Sequence, residues 1–265
     1  MIDSADLRTL RTIHHLAASG GTVMSKALAV QPDVVLLSEV SPVPLGGRFI
    51  PFDPLQQFIR NYGNKEPELR LGRTPRDFVR RIFMDRIEYV LDICTAADRR
   101  LVLRDHSHSD FLGPKPPPRS VLLECLDEAG FNRRSVLTLR DPVDAYISSQ
   151  RENWVRHADG FDDYCRRTSL MIEEFEDDAI FLYEDFCADP VAVTERICAR
   201  LALPFDGGFQ ERLASIQLTG DSGRRSDVIA PRPRRPVPPE LKAEIEASAH
   251  YAALRARFWP HSELA

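Results

Sequence analysis

Residues 13–39 read IHHLAASGGTVMSKALAVQPDVVLLSE, and the order of chemistries in this stretch decides the fold. A short apolar run, residues 12–16, gives way to Ala17-Ala18-Ser19-Gly20-Gly21. Helix-forming residues follow from about Thr22, and a second apolar run begins at Val34. Strand, glycine turn, helix and strand in succession form the repeating unit of a parallel sheet. Glycines in such a turn let the backbone approach a small anion. The first-turn N–H groups of the next helix then point at that anion, and the helix dipole adds to the attraction. Ser19 and Thr22 offer hydroxyl donors beside them. A nucleotide-triphosphate loop of the GxxxxGK[ST] type needs a lysine for the outer phosphates, and this stretch has neither that spacing nor that lysine.

The same alternation continues outward. Residues 34–37, 101–103, 135–139 and 180–183 are apolar on both alternating faces, as interior strands of a parallel sheet are. Helix starts lie between them. Thr74-Pro75 followed by Asp77, then Asp141-Pro142 and Asp189-Pro190, each put a capping residue before a proline. The expectation is a single α/β domain over 1–265, a doubly wound parallel sheet of four or five strands, with ligands at the carboxyl ends of the strands. A long helical pattern from about Pro75 to Ala97 carries Phe78, Ile82, Tyr89 and Ile93, read as a core-facing stripe. Residues 41–73 are loop-rich, and their Phe49, Phe52, Phe58 and Tyr62 either line a ligand pocket or pack as a satellite cluster. Residues 218–238, rich in Gly, Pro and Arg, are expected to form a lid loop or a disordered linker.

Composition narrows the function classes. The chain of 265 residues has a net charge of −5, which gives no basic surplus for nucleic acid. No run approaches the roughly 18 apolar residues of a membrane span. The opening MIDSADLRTLRT lacks an apolar signal region. The 5 cysteines are scattered without a CxxC pair, which fits reduced, buried thiols. The expected compartment is the cytoplasm.

A second anion site is legible at VLTLRDPVDAYISS, where Arg140 ends a strand and Ser148 lies on the next helix. Helical side chains lean toward the helix N-terminus, so Ser148 and Arg140 can converge on one phosphate. Two strand-to-helix anion sites in one sheet imply a ligand with phosphate-like groups at both ends.

These residues together resemble the sulfotransferases that use 3′-phosphoadenosine 5′-phosphosulfate. The resemblance rests on Ser19-Gly20-Gly21-Thr22 after the first strand, and on Arg140-Asp141-Pro142-Val143-Asp144 with a serine eight residues after the arginine. It extends to YEDFCADPVAVTERICARLALPFD at 183–206 and to SGRRSD at 222–227. It implies that Ser19, Gly20, Gly21, Thr22 and Val23 cradle the 5′-phosphosulfate, that Arg140 and Ser148 hold the 3′-phosphate, and that Tyr183 also meets the cofactor. Arg224 or Arg225 would close over it, and 3′,5′-adenosine bisphosphate would be the product. Many family members place a lysine where this chain has Ala18. Lys26, Arg104, Arg224, Arg225 and the backbone amides are the alternatives for its charge.

The acceptor, a hydroxyl or amine of a small molecule, needs a base. Arg104-Asp105-His106 resembles the Lys-x-His that holds the family's catalytic histidine. His108 is the reserve, and Glu39 stands where glycan-directed members place a catalytic glutamate. A neutral imidazole takes up a proton near pH 7. His14 and His15, adjacent in the first strand, face opposite sides and cannot chelate one ion; both are read as structural, and no metal is expected. Two other readings stay open: a P-loop-type kinase or nucleotide hydrolase, and a non-catalytic nucleotide binder on the sulfotransferase scaffold.

Overall fold

The computed structural model describes residues 4–42, 75–218, 229 and 236–260. Five strands form one parallel sheet: β1 (Leu10–His14), β2 (Val34–Val40), β3 (Arg100–Asp105), β4 (Arg133–Leu139) and β5 (Ile180–Leu182). Their spatial order is β2-β3-β1-β4-β5, which puts β1 in the centre, paired with β3 on one side and β4 on the other. All five apolar runs of the sequence are strands. The first ends two residues earlier than its apolar pattern suggests, so His15 and Leu16 belong to the following loop, and Tyr183 opens a helix instead of closing β5.

Helices cover both faces, as parallel strands require. Ile13, Val102, Val136 and Phe181 point to one side. There they pack on α2 (Gly21–Ala29), α8 (Tyr183–Ala188), α9 (Pro190–Leu201) and a 3₁₀ segment, Gly207–Ser215. The alternate residues Leu10, Leu101 and Leu103 pack on α3 (Pro75–Ala96) and α5 (Val121–Glu128). Leu137, Leu139 and Ile180 pack on α6 (Pro142–Arg151), α7 (Gly160–Ile172), α10 (Pro239–Ala247) and α11 (Ala249–Phe258). Two further short helices, α1 (Ser4–Leu7) and α4 (Ser107–Phe111), are present among the described residues. The five cysteines are unpaired and buried.

The helix starts are held as their sequences imply. The Asp141 carboxylate accepts from the Val143 N–H at 2.9 Å, and the Asp189 carboxylate accepts from the Ala192 N–H at 3.0 Å, each ahead of a first-turn proline. The stripe expected on α3 is a correction. Tyr89 is 69% exposed and Ile93 53% exposed. The buried face carries Ile87, Leu91 and Cys94, with Phe83 and Met84 packed beside them. Both sets repeat at helical spacing, and β3 and α5 select the one that reaches the sheet. Residues 43–74, with the aromatic acceptor region, and most of the Arg/Pro-rich segment lie outside the described residues. Among the described residues no helix is long and apolar enough to cross a membrane.

Leu91→Ala is expected to cost about 2–5 kcal/mol of folding stability. Tyr89→Ala should change it by no more than about 0.5 kcal/mol. Urea denaturation of the two variants checks the assignment, and equal losses would put the core on the other face of α3.

Candidate active site

Because β1 lies between β3 and β4, the residues that follow these three parallel strands meet along the carboxyl edge of the sheet, where the strands end. The loop from His15 to Gly20 carries the chain from β1 into α2. Its shape is set from outside by side chains. Gly20 has φ +80, and a Cβ there would lie 2.1 Å from the Tyr183 ring. A Cβ on Gly21 would lie 2.1 Å from the His15 ring. The glycines therefore supply a left-handed turn at one position and room for aromatic rings at both. Ser19 is buried, and its hydroxyl donates to the Leu16 carbonyl at 2.8 Å, closing the loop on itself. No side chain caps α2 at Gly20; the Val23 N–H donates to the Gly20 carbonyl at 3.1 Å, and the N–H groups that lead a helix otherwise lack intrahelical acceptors.

Arg104 is the buried cation of this edge, 2% exposed. Its Nε donates to His15 Nε2 at 2.7 Å, its Nη1 to Ser38 Oγ at 2.7 Å and its Nη2 to Thr22 Oγ1 at 2.9 Å. One guanidinium thus joins β3, the β1 loop, β2 and the first turn of α2. Lys26 lies in the last turn of α2, at the opposite end from the loop. Arg224 and Arg225 lie outside the described residues.

On the β4 side, Arg140 donates to the Ala18 carbonyl at 3.1 Å, and its guanidinium carbon sits 5.3 Å from the Tyr183 ring centroid. Ala18 itself has φ +60. The structure brings Arg140, Tyr183 and the loop together. The Ser148 hydroxyl instead donates to the Asp144 carbonyl of its own helix at 2.8 Å. Its neighbour Ser149, missed in the sequence, reaches the Ala17 carbonyl at 3.4 Å. The Val23 side chain is buried in the core, which leaves its backbone alone near the loop. Glu184 stabilises this corner, accepting from the Asp141 N–H at 3.0 Å and from the Trp259 indole at 3.1 Å. Burial pushes its carboxyl above the usual range.

Glu39 lies where the pairing of β2 with β3 slips between Ser38 and Val40, and it has φ +56. It is the extra residue of a β-bulge, in a conformation that a glycine usually occupies. Its Oε1 lies 3.8 Å from Arg104 Nη2. Its charge also raises the affinity of His106 for a proton, while burial acts against it and wins, so the His106 pKa is lowered. His106 Nδ1 is buried without a hydrogen-bond partner among the described residues. The His106 and His108 rings lie 3.7 Å apart between centroids. Burial, then His106 and Arg104, push His108 down to about 4.

The two histidines of the first strand diverge. His14 is buried with Nδ1 2.9 Å from Asp105 Oδ2 and Nε2 2.8 Å from Thr12 Oγ1. Asp105 also accepts from Ser107 at 2.8 Å and from Ser120 at 3.3 Å. These bonds form one buried network on the central strand and the end of β3. His15 belongs instead to the loop, against Arg104. No local signal marks this, because the apolar pattern runs through both histidines without a break. Among the described residues no three His, Cys, Asp or Glu side chains cluster as metal ligands do.

Two predictions follow from this geometry. Gly20→Ala is expected to cost about 2–4 kcal/mol, a backbone term plus the clash with Tyr183. Gly130→Ala is its control: Gly130 has φ +74 and nothing within 4 Å of a Cβ, so it should cost only about 1–2 kcal/mol. Chemical denaturation of both separates the terms. His108 resists protonation when folded, whereas an unfolded histidine takes a proton near 6.5. Its contribution to stability is therefore complete above pH 6.5 and is lost as the pH falls toward about 4. His108→Gln should flatten the fall in melting temperature over that window, and an unchanged profile would contradict the burial argument.

No protein-family profile matches the chain, and no curated protein matches it in sequence. Solved structures do. The sulfotransferase domain of the Synechococcus PCC 7002 olefin synthase aligns at a TM-score of 0.56 and 16% identity, over 96% of this chain and 95% of that domain. The sulfotransferase domain from the curacin biosynthetic pathway aligns at 0.55 and 14% identity, over 97% of this chain and 99% of that domain. Both overlaps run nearly end to end. The chain has the sulfotransferase fold.

Proposed function

We propose that the chain is a sulfotransferase that moves a sulfuryl group from 3′-phosphoadenosine 5′-phosphosulfate to a hydroxyl or amine of a small-molecule acceptor in the cytoplasm. The observation that carries this reading is the anion cradle at the start of α2. An uncapped helix terminus, a glycine turn and a buried arginine hydrogen-bonded to Thr22 meet there. The cradle fits a 5′-phosphosulfate: the glycines permit a tight turn packed against the Tyr183 and His15 rings, and the helix N–H groups and Arg104 bring positive potential.

Bound there, the donor supplies an activated sulfuryl group whose departure leaves an anion on phosphate. The residues of the chain then have distinct tasks. The α2 N–H groups and the Thr22 hydroxyl hold the 5′ end. Arg104 carries the charge that Ala18 cannot, so the cation comes from β3 and not from the loop. Arg140, stacked on Tyr183, holds the 3′-phosphate, with Ser148 on the next helix, and Arg224 or Arg225 closes over the nucleotide. His106 is the base. It is neutral at pH 7, with Glu39 close enough to favour the imidazolium as the proton arrives. His108, with a pKa near 4, is too weak a base for the task and shapes the site beside His106. No metal is required in this scheme.

Calorimetric titration with 3′,5′-adenosine bisphosphate, 5′-AMP and ATP with magnesium tests the reading. Micromolar binding of the bisphosphate, with 5′-AMP much weaker, is the expected outcome. His106→Asn should then lower sulfuryl transfer by about 10²–10⁴-fold and leave bisphosphate affinity unchanged. Binding of ATP without the bisphosphate would point to a kinase or hydrolase. Bisphosphate binding without transfer to any of a broad acceptor panel would leave a nucleotide-binding protein on the same scaffold.

A further inference from the structure

We infer that His15 is a positioning residue for the Arg104 guanidinium, fixing the direction from which positive charge meets the start of α2. The inference rests on the reading of that cradle as the 5′ site. Its basis is geometric. The Nδ1 of His15 lies 2.9 Å from the Leu16 carbonyl oxygen, which can only accept. Its Nε2 lies 2.7 Å from the Arg104 Nε, which can only donate. Nδ1 must therefore carry the proton and Nε2 the lone pair, so the ring is a neutral acceptor. Protonation would turn Nε2 into a donor facing another donor.

Three surroundings hold the ring in place. It is buried, its own loop accepts from Nδ1, and Gly21 leaves the space its carbons fill. Arginine is a flexible side chain with a planar terminus. An acceptor on Nε fixes the in-plane rotation of the guanidinium, and with it the Nη2 contact to Thr22 and the Nη1 contact to Ser38. His15 would then act on the bound anion only through Arg104, and never by touching it.

Two measurements test this. Long-range ¹H–¹⁵N spectra of histidine-labelled protein, with His15 assigned by comparison with His15→Gln, should show the neutral Nδ1–H tautomer at pH 6. An Nε2–H or protonated ring would overturn the inference whatever the ligand. Binding is the second measurement, read as the affinity for 3′,5′-adenosine bisphosphate relative to 3′-AMP, which lacks the 5′-phosphate. His15→Leu should reduce this ratio by about tenfold, a loss of one well-placed charged contact. His15→Gln, which offers an oxygen to Arg104, should recover most of it. In an Arg104→Gln background, His15→Leu should have no further effect. A wild-type ratio in His15→Leu, or an undiminished loss in the Arg104→Gln background, would overturn the His15 assignment alone. A wild-type protein indifferent to the 5′-phosphate would overturn the donor reading first.

Discussion

A charged guanidinium buried at the edge of the sheet constrains everything around it. Removing a cation from water costs several kcal/mol unless hydrogen bonds and opposite charge replace the solvent. For Arg104 these come from three separate segments: His15 of the β1 loop, Thr22 of α2, and β2, which supplies Ser38 and, at a longer distance, Glu39 of its bulge. The carbonyl ends of β1, β2 and β3 are thereby fixed relative to α2. Glu39 occupies a backbone conformation unfavourable for a residue with a side chain. The bulge that imposes it also brings the carboxylate within range of both Arg104 and His106.

The loop between β1 and α2 is shaped by side chains of its own and of the elements around it. Rings from His15 and Tyr183 fill the places where side chains at positions 21 and 20 would stand. Arg140 and Ser149 hold the carbonyls of Ala18 and Ala17 from the β4 side. A backbone held at this many points has little freedom to rearrange.

The sheet was legible because its information is local. Each of the five apolar runs is a strand, and the Asp-Pro helix starts behave as capping chemistry dictates. Several residues singled out in the sequence also come together in the fold: Arg140 reaches the Ala18 carbonyl and the Tyr183 ring, Tyr183 packs on Gly20, and the charge of Glu39 acts on His106. Tertiary contacts decided what remained. The two exposed apolar residues of α3 have the same spacing as the buried ones, and only the position of the sheet distinguishes them. The end of β1 falls within an unbroken apolar run, so His15 read as a strand residue. No local signal marks a bulge at Glu39, which depends on how β2 pairs with β3. Arg104 could be named as one of several cations from sequence, but the bonds that single it out join residues far apart in the chain.

A second arginine acts at the other end of the central strand. Arg11 is fully buried, and its Nε donates to the Leu201 carbonyl at 2.7 Å while its other nitrogens hold Thr9 and Asp6. Burial pushes its pKa down to about 10. Because side chains alternate along a strand, sliding β1 by two residues would keep every apolar residue facing the core. Apolar patterning therefore cannot by itself forbid such a slip. The polar residues can, since it would part Arg11 from the end of α9, Thr12 from Ser135 and His14 from Asp105. Each buried polar group left unpaired costs about 1–3 kcal/mol. The few hydrophilic residues inside β1 thus act as an alignment code, and the position of the loop between β1 and α2 is measured from the far end of the sheet.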